Sequence, residues 1–333
     1  PINDSFEEDA QISRIIDEFK EKVQQEYFDM YDLGYDEVIA YAPFQFPTND
    51  EISRVHADST LGNIIGDAYI YAVKKAEGED YEPVTAAVVP TGTVRSTIFQ
   101  GEVTTADAFC ISSLGVGADG IPGYPLISVY LTGKELKTLC EVDASVAPIM
   151  SEAQLYLAGL SYTFNPNRLI FNKITNVSIM NEDGSLAEIE DDRLYRIIAG
   201  LYSAQMLSVV GDKSFGLLSI VPKDKYGEPV TDFEKYIIYQ NIDGNKQEVK
   251  EWYAIVEYLK SFDKVNGVSQ ISDYYKVTHG RKIVDDNKNI IKMIKNPNKI
   301  ALTVYIAVPL ILAVFIFLIV RIVKLIRRKA KKR

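Results

Sequence analysis

Histidine and cysteine are nearly missing from this sequence: two of each stand among 333 residues, with a single tryptophan. That scarcity excludes whole classes of chemistry. A binuclear hydrolytic metal centre draws on several imidazoles together with carboxylates, and His56 and His279 cannot supply them. No metal or other cofactor is expected in this chain. Cys110 lies in an apolar run and Cys140 in a helical pattern; two such residues make no disulfide framework, and whether they pair stays open. Positive charge is short as well, with 36 Lys and Arg against 46 Asp and Glu, a formal net charge of -10. Eight of the cations follow residue 320 and no acid follows residue 299, so the remainder stands near -18. A surface of that sign favours solubility and argues against a nucleic-acid partner. An anionic ligand would have to be held by local cations against the overall field. The chain opens at Pro1 without a methionine or a leader-like segment, so a fragment or processed form is expected.

What the sequence does have is one long apolar run. Ile300 to Val320 passes 21 residues without a charge, enough at about 1.5 Å per residue to span the roughly 30 Å hydrocarbon core of a bilayer. Pro309 sits inside it, which membrane helices tolerate. The cations of 321–333 follow at once, and a basic flank of that kind stays on the cytoplasmic side. The expected topology is single-pass, with the N-terminal part extracellular and the C-terminus cytoplasmic. Lys288, Lys292, Lys295 and Lys299 on the other flank soften the asymmetry. Residues 275–299, rich in Lys, Asn and Asp, are expected to form a juxtamembrane stalk.

Upstream, the hydrophobic periodicity alternates between 3.6 and 2. Residues 9–25 space Ile12, Ile15, Ile16, Phe19 and Val23 along one helical face, so 1–30 is expected to be a linker helix. Leu61 to Ala76 is a second amphipathic helix, with capping residues just ahead of it. Short strands are expected at Val38–Ala42, Ile52–Val55, Thr85–Val89, Leu126–Leu131 and Tyr195–Ala199. Val177–Met180 and Leu186–Ile189 flank Glu182-Asp183-Gly184, a hairpin signal. Thr132 and Glu135 carry capping-box spacing ahead of a helix through Val142, and Trp252–Phe262 reads as another helix. Helices and hairpins intermingled in this way predict an α+β class with mixed sheets over 31–274.

The order of these pieces resembles the C-terminal domain of the 5′-nucleotidase family. The resemblance is carried by Leu61-Gly62-Asn63-Ile64-Ile65-Gly66-Asp67-Ala68, the strand Ala87-Val88-Val89, and the turn with Gly92 and Arg95. It continues through Gly101-Glu102-Val103-Thr104, Leu131-Thr132-Gly133-Lys134-Glu135-Leu136, Tyr195-Arg196-Ile197 and Gly280-Arg281-Lys282-Ile283. No piece is diagnostic alone; their order over about 220 residues is the signal. The helix at 9–25 looks like the interdomain helix of the same proteins.

The resemblance implies a division of labour. An upstream metallophosphoesterase domain would carry two divalent metal ions and the hydrolytic chemistry. This chain would bind the nucleotide or a related phosphate ester, with arginines and two aromatic rings that sandwich the base. It also implies site residues. The family's Asn-Gly-Gly-Gly-Ile-Arg turn reads here as Pro90-Thr91-Gly92-Thr93-Val94-Arg95, keeping Gly92 and Arg95 but losing the leading amide. A guanidinium there would meet phosphate or ribose oxygens with a fork of donors. The arginine expected ahead of the Leu61 helix is replaced around His56 and Ala57, and the first stacking ring falls on Leu114. Tyr202 stands for the second ring, Asp212 for the acid of a lost Gly-Gly-Asp-Gly signature, and Asn63 for a polar contact at the helix start. Two readings follow. One is the substrate-binding portion of a cell-surface phosphohydrolase, inactive by itself. The alternative is a non-catalytic, membrane-anchored surface module that kept the fold and lost the pocket.

Overall fold

The computed structural model describes residues 7–213, 218–242 and 244–330, the side chains of 208–213 and 329–330 excepted. The chain begins with α1 (Ala10–Glu26), capped by the Asp9 carboxylate on the Gln11 and Ile12 amides. Then come β1 (Val38–Ala42), α2 (Asn49–Arg54), α3 (Thr60–Glu77), β2 (Ala86–Pro90), β3 (Gly101–Thr104) and α4 (Thr105–Ile111). The middle of the chain forms β4 (Leu126–Thr132), α5 (Gly133–Val146), β5 (Leu155–Ala158), β6 (Leu160–Phe164), β7 (Ile174–Met180) and β8 (Leu186–Ala187). Next are β9 (Leu194–Gly200), α6 (Leu201–Lys213), β10 (Tyr239–Ile242), β11 (Asn245–Glu248) and α7 (Glu251–Lys260). The small ladder of β12 (Lys264–Val265) and β13 (Val268–Ser269) precedes β14 (Lys282–Val284), α8 (Ile290–Ile294) and α9 (Lys299–Ala330).

The class is α+β with mixed sheets. One four-stranded sheet runs β4-β9-β2-β5, with β2 and β9 parallel and both outer pairs antiparallel. A second runs β14-β6-β7-β8, where only β14 and β6 are parallel. The first sheet is buried on both faces, as its continuous apolar strands require. Ala87 and Val89 of β2, Tyr156 and Ala158 of β5 and Ile198 of β9 face a core shared with α3 and α7. Ala86, Val88, Leu155, Leu157 and Ile197 point the other way, to a core that α5 fills with Leu136, Leu139 and Cys140. Both thiols are free, Cys110 exposed and Cys140 buried.

Two glycines set the spacing of α3 against β5. A Cβ on Gly62 would lie 2.0 Å from the Tyr156 ring, and one on Gly66 would lie 2.7 Å from the Ala158 Cβ. The helix therefore seats directly on the strand. The Ile52–Val55 segment, expected as a strand, is instead the end of α2. Thr48 caps it in a full capping box with Glu51, and that local hydrogen bonding outweighs the weak β preference of two branched residues.

The polar segment after residue 274 is held to the domain at several points. Tyr275 is buried, Arg281 pairs with Asp67 at 2.8 Å, and β14 adds a parallel edge to β6. Arg168, itself buried, donates to the carbonyls of Lys292, Lys295 and Asn296 around the end of α8. The Asn172 side-chain oxygen accepts from the Asn298 amide, and the Asn298 side chain caps the Ala301 amide at the start of α9. Residues 275–298 thus touch the domain at Tyr275, at Arg281 and β14, and around Arg168 and Asn172, while most of their side chains between these points are exposed. The α9 helix is one continuous rod, and its stretch Lys299–Arg328 is long and apolar enough to cross a membrane.

Asp143, on α5, is the polar centre of the second core. Lys282 Nζ of β14 lies 3.0 Å from one carboxylate oxygen, which also accepts the Leu155 amide at 2.7 Å. The Tyr162 hydroxyl donates to the other at 2.6 Å, and His56 Nε2 lies 3.0 Å from it. Burial alone would raise this carboxyl, but Lys282, His56 and Tyr162 outweigh it and hold the pKa at about 2.

Two measurements follow. Gly62→Ala should destabilise the full chain in detergent by about 1–3 kcal/mol through overpacking on Tyr156, read as a lower urea midpoint with an unchanged slope. Asp143→Asn should cost about 3–5 kcal/mol, because Lys282 is left buried without its counter-charge. A carboxylate depressed below its ordinary 3.8 gives stability that is present above that value and lost as pH falls through about 2. The gap between wild type and variant should therefore narrow over that acid range.

Candidate functional site

Topology brings three chain reversals to one end of the first sheet. Strands β2 and β9 are parallel, so both finish there, β2 into the turn Thr91–Thr93 and β9 directly into α6. Strand β4 is antiparallel to β9 and starts there, its Leu126 opposite Gly200. Ligands of open sheets sit outside the carboxyl ends of parallel strands for this reason: loops diverge and leave a crevice.

Residues 112–125 form a narrow loop at this edge. Gly123 donates to the Gly115 carbonyl, Tyr124 to that of Leu114, and Gly117 to that of Ile121. Tyr124 is therefore directly across the loop from Leu114. Its ring lies over Gly115, where a Cβ would come within 2.1 Å of it, and Gly115 has the positive φ of 77° that a glycine permits. The same ring stacks on Tyr202 of α6, with centroids 5.4 Å apart and planes 15° from parallel. Two aromatic rings thus face each other where the resemblance implies a base-binding pair. One belongs to Tyr202, the residue that the resemblance puts forward as the second ring. The other comes from Tyr124, which spacing does not single out; the sequence signal is the glycine run 115, 117, 120 and 123, which folds the loop back on itself. Burial, Tyr202 and Glu251 raise the Tyr124 phenol above its ordinary pKa.

The loop is held from below. The Lys250 ammonium, wholly buried, lies 2.7 Å from Asp119 and 2.6 Å from Glu248, while Glu248 also accepts the Asp119 amide. Gly123 rests on the edge of Trp252, and the Tyr27 hydroxyl at the end of α1 donates to the Pro122 carbonyl. Glu251, the first residue of α7, is buried between the ring-bearing segments. Its amide donates to the Tyr124 carbonyl at 2.9 Å, and its carboxyl accepts from the Ser112 hydroxyl at 2.5 Å. Burial pushes the carboxyl up to about 7, with the Ser112 and Tyr69 hydroxyls drawing it partly back.

The other expected residues fall as follows. Arg95 is exposed at the same end, its amide bonded to the Ile111 carbonyl just before the ring loop. Among the described residues its guanidinium has no ion-pair partner, which leaves its donors free for a ligand. Gly92 is packed against the turn Ser151–Ala153, where a Cβ would lie 3.1 Å from the Glu152 carbonyl. Its face is turned to protein. Asn63 is buried, its side-chain amide donating to Asp58 and its backbone carbonyl accepting from Arg281. Asp212 belongs to the last turn of α6, and its side chain lies outside the described residues. Ahead of α3, where an arginine was expected, a cleft of about 610 Å³ is lined by Glu51, Ala57, Asp58, Ser59, Tyr156 and Lys276, among others. Its charges do not favour phosphate. Among the described residues no three His, Cys, Asp or Glu side chains converge as metal ligands.

Comparison with known proteins agrees with this architecture. Residues 38–208 match the family described as 5′-nucleotidase, C-terminal domain. The trifunctional nucleotide phosphoesterase protein YfkN of Bacillus subtilis is 24% identical over 197 residues, covering 59% of this chain and 12% of that protein. A 5′-nucleotidase-related protein of Glossina morsitans morsitans is 26% identical over 216 residues, covering 62% and 32%. The chain therefore spans at most about a third of these curated relatives. Among solved structures, the Haemophilus influenzae NAD nucleotidase superposes with a TM-score of 0.53 at 16% identity, over 84% of this chain and 42% of that one. The 5′-nucleotidase precursor of Thermus thermophilus gives 0.50 at 19%, over 80% and 43%. At such identity these likenesses speak to the fold. With the matched segment covering half of its length and the sheet order in place, the chain belongs to the family of 5′-nucleotidase C-terminal domains.

Proposed function

We propose that this chain is the substrate-recognition part of a 5′-nucleotidase-like phosphohydrolase, acting on a nucleotide or related phosphate ester. The observation that carries the reading is the Tyr124–Tyr202 pair at the sheet end, with the exposed Arg95 guanidinium at the same edge. A base slid between the rings would gain on the order of 1–3 kcal/mol per stacked face, and Arg95 would meet phosphate or ribose oxygens. Gly92, Asn63 and Asp212 keep supporting roles in this proposal, with Gly92 and Asn63 holding the turn and helix around the pocket. Hydrolysis belongs to an upstream metallophosphoesterase domain carrying two divalent ions. The α1 helix supports such a neighbour: Ile12, Ile16 and Phe19 are all more than half exposed along one face. We further propose that α9 crosses a bilayer, with the domain on the extracellular surface and the basic tail in the cytoplasm.

A second reading, a non-catalytic surface module, is favoured by one observation. The rings close directly on each other, and the cleft before α3 carries Glu51 and Asp58 where a cation was expected. The reading frame upstream separates the two: metal-binding Asp-x-His, Asn-His-Glu and Gly-His-x-His motifs belong to the hydrolase, and their absence to the module.

In the full-length protein, Arg95→Ala should raise KM for AMP with a smaller change in kcat; an unchanged KM removes Arg95 from the site. Tyr124→Ala should weaken nucleotide binding roughly five- to a hundredfold, the loss of one stacked face, measured by calorimetry. The 333-residue chain alone, given divalent metals and AMP, should release no phosphate; metal-dependent turnover would overturn the assignment of chemistry to an upstream domain.

A further inference from the structure

The two ring-bearing segments are joined through one buried side chain. Glu251 is 2% exposed, and its carboxyl fills the space that a side chain at Gly200 would need, with Oε1 1.6 Å from the position of a Cβ there. Gly200 ends β9 immediately before Leu201 and Tyr202, and the Leu201 amide donates to the Pro125 carbonyl next to Tyr124. The same carboxyl accepts from Ser112 at the root of the ring loop, while the Glu251 amide holds the Tyr124 carbonyl. Both ring-bearing segments and the loop root therefore converge on this residue.

The pair is closed. Faces in van der Waals contact lie about 3.5 Å apart, so a base inserted between two rings needs about 7 Å, against the 5.4 Å observed. Admitting a base between them requires the rings to part.

We propose that Glu251 is the positioning residue of this pair: its hydrogen bonds hold the Tyr124 loop at Ser112 and at the Tyr124 carbonyl while its carboxyl packs on the Gly200 backbone ahead of Tyr202, and loss of that packed, hydrogen-bonded carboxyl frees the rings to separate around a nucleobase. The proposal rests on the reading of the ring pair as a base site. Its chemistry follows from what surrounds the carboxyl. Tyr69 faces it from α3, Ser112 from the end of α4, Tyr124 from the ring loop and the Gly200 backbone from β9. None of these is a cation. Lys250, next in sequence, is committed to Asp119 and Glu248. His56 sits against Asp143 and His279 against Tyr274. Glu251 is thus stable in the closed state as the neutral acid. A carboxyl raised by burial contributes stability below its unfolded pKa and loses it as pH rises through about 7. Ionisation penalises closure, because an unpaired buried carboxylate seeks water.

Trp252, the sole tryptophan, neighbours Glu251 in sequence and touches Gly123 of the ring loop, so it reports on the loop without a label. The test is its emission in the full chain in detergent from pH 5.5 to 8.5, with AMP affinity measured at pH 6 and 8 by calorimetry. A reversible transition near pH 7 is expected in wild type and should vanish in Glu251→Gln. Ser112→Ala removes a hydrogen bond that lowers the carboxyl, so it should move the transition to higher pH. AMP should bind roughly three- to tenfold more tightly at pH 8 than at pH 6, a titration-driven change of up to tenfold per pH unit, and Glu251→Gln should abolish that dependence. Flat emission in wild type, or a transition that persists in Glu251→Gln, overturns the positioning role. AMP affinity independent of pH in wild type overturns the coupling to ligand. If AMP fails to bind at either pH while the transition tracks Glu251 and Ser112, the lock stands and the base-site reading falls.

Discussion

A single buried carboxylate organises the half of the domain that carries the C-terminal strand. Asp143 gathers a lysine from β14, a tyrosine from β6, an amide from β5 and a histidine from the segment leading into α3. Burying that charge is costly, and the cost is offset only because each partner is in place at hydrogen-bonding distance. Strand β14 is three residues long and could not hold an edge by its ladder alone. The Lys282 ion pair fixes its register against β6. The Leu155 amide, bound to the same carboxylate, lies just after the turn that covers Gly92, so the constraint extends to one wall of the candidate site.

The opposite wall is governed by polar groups of another kind. Lys250, Glu248 and Asp119 form a charged clasp beneath the ring loop, while the Glu251 carboxyl alongside them has hydroxyl partners. Neighbours in sequence thus differ in what they permit. The clasp pairs a buried cation with two carboxylates; in the proposed lock the lone acid changes its setting with one proton.

Much of this architecture is legible in the residues. The Thr132–Glu135 capping box, the apolar strands at 126–132 and 194–200 and the small-residue face of α3 have local causes, and local causes leave local patterns. The same capping box at Thr48 and Glu51 is masked by Ile52 and Val55, which lend the short stretch a strand-like look. Tyr124 is hidden for a different reason. It reaches the ring position by pairing across a glycine-rich loop, so its place depends on folding back and not on distance from a motif. The Lys/Asn/Asp-rich stretch after residue 274 has the composition of a solvated spacer, yet its asparagines and basic residues bond to Asp67, Asp143, Asn165 and Asn172 more than a hundred positions away. Composition records polarity; it does not record that the partner is protein.

The clasp around residue 298 has a mechanical consequence. Arg168 grips the carbonyls ending α8, and Asn298, held by Asn172 and the Phe171 carbonyl, opens α9. The long apolar helix therefore starts from a segment that is hydrogen-bonded to the domain. Those hydrogen bonds tie the first turn of the apolar helix to the second sheet through the 165–172 loop, so that loop, not a free linker, joins the two.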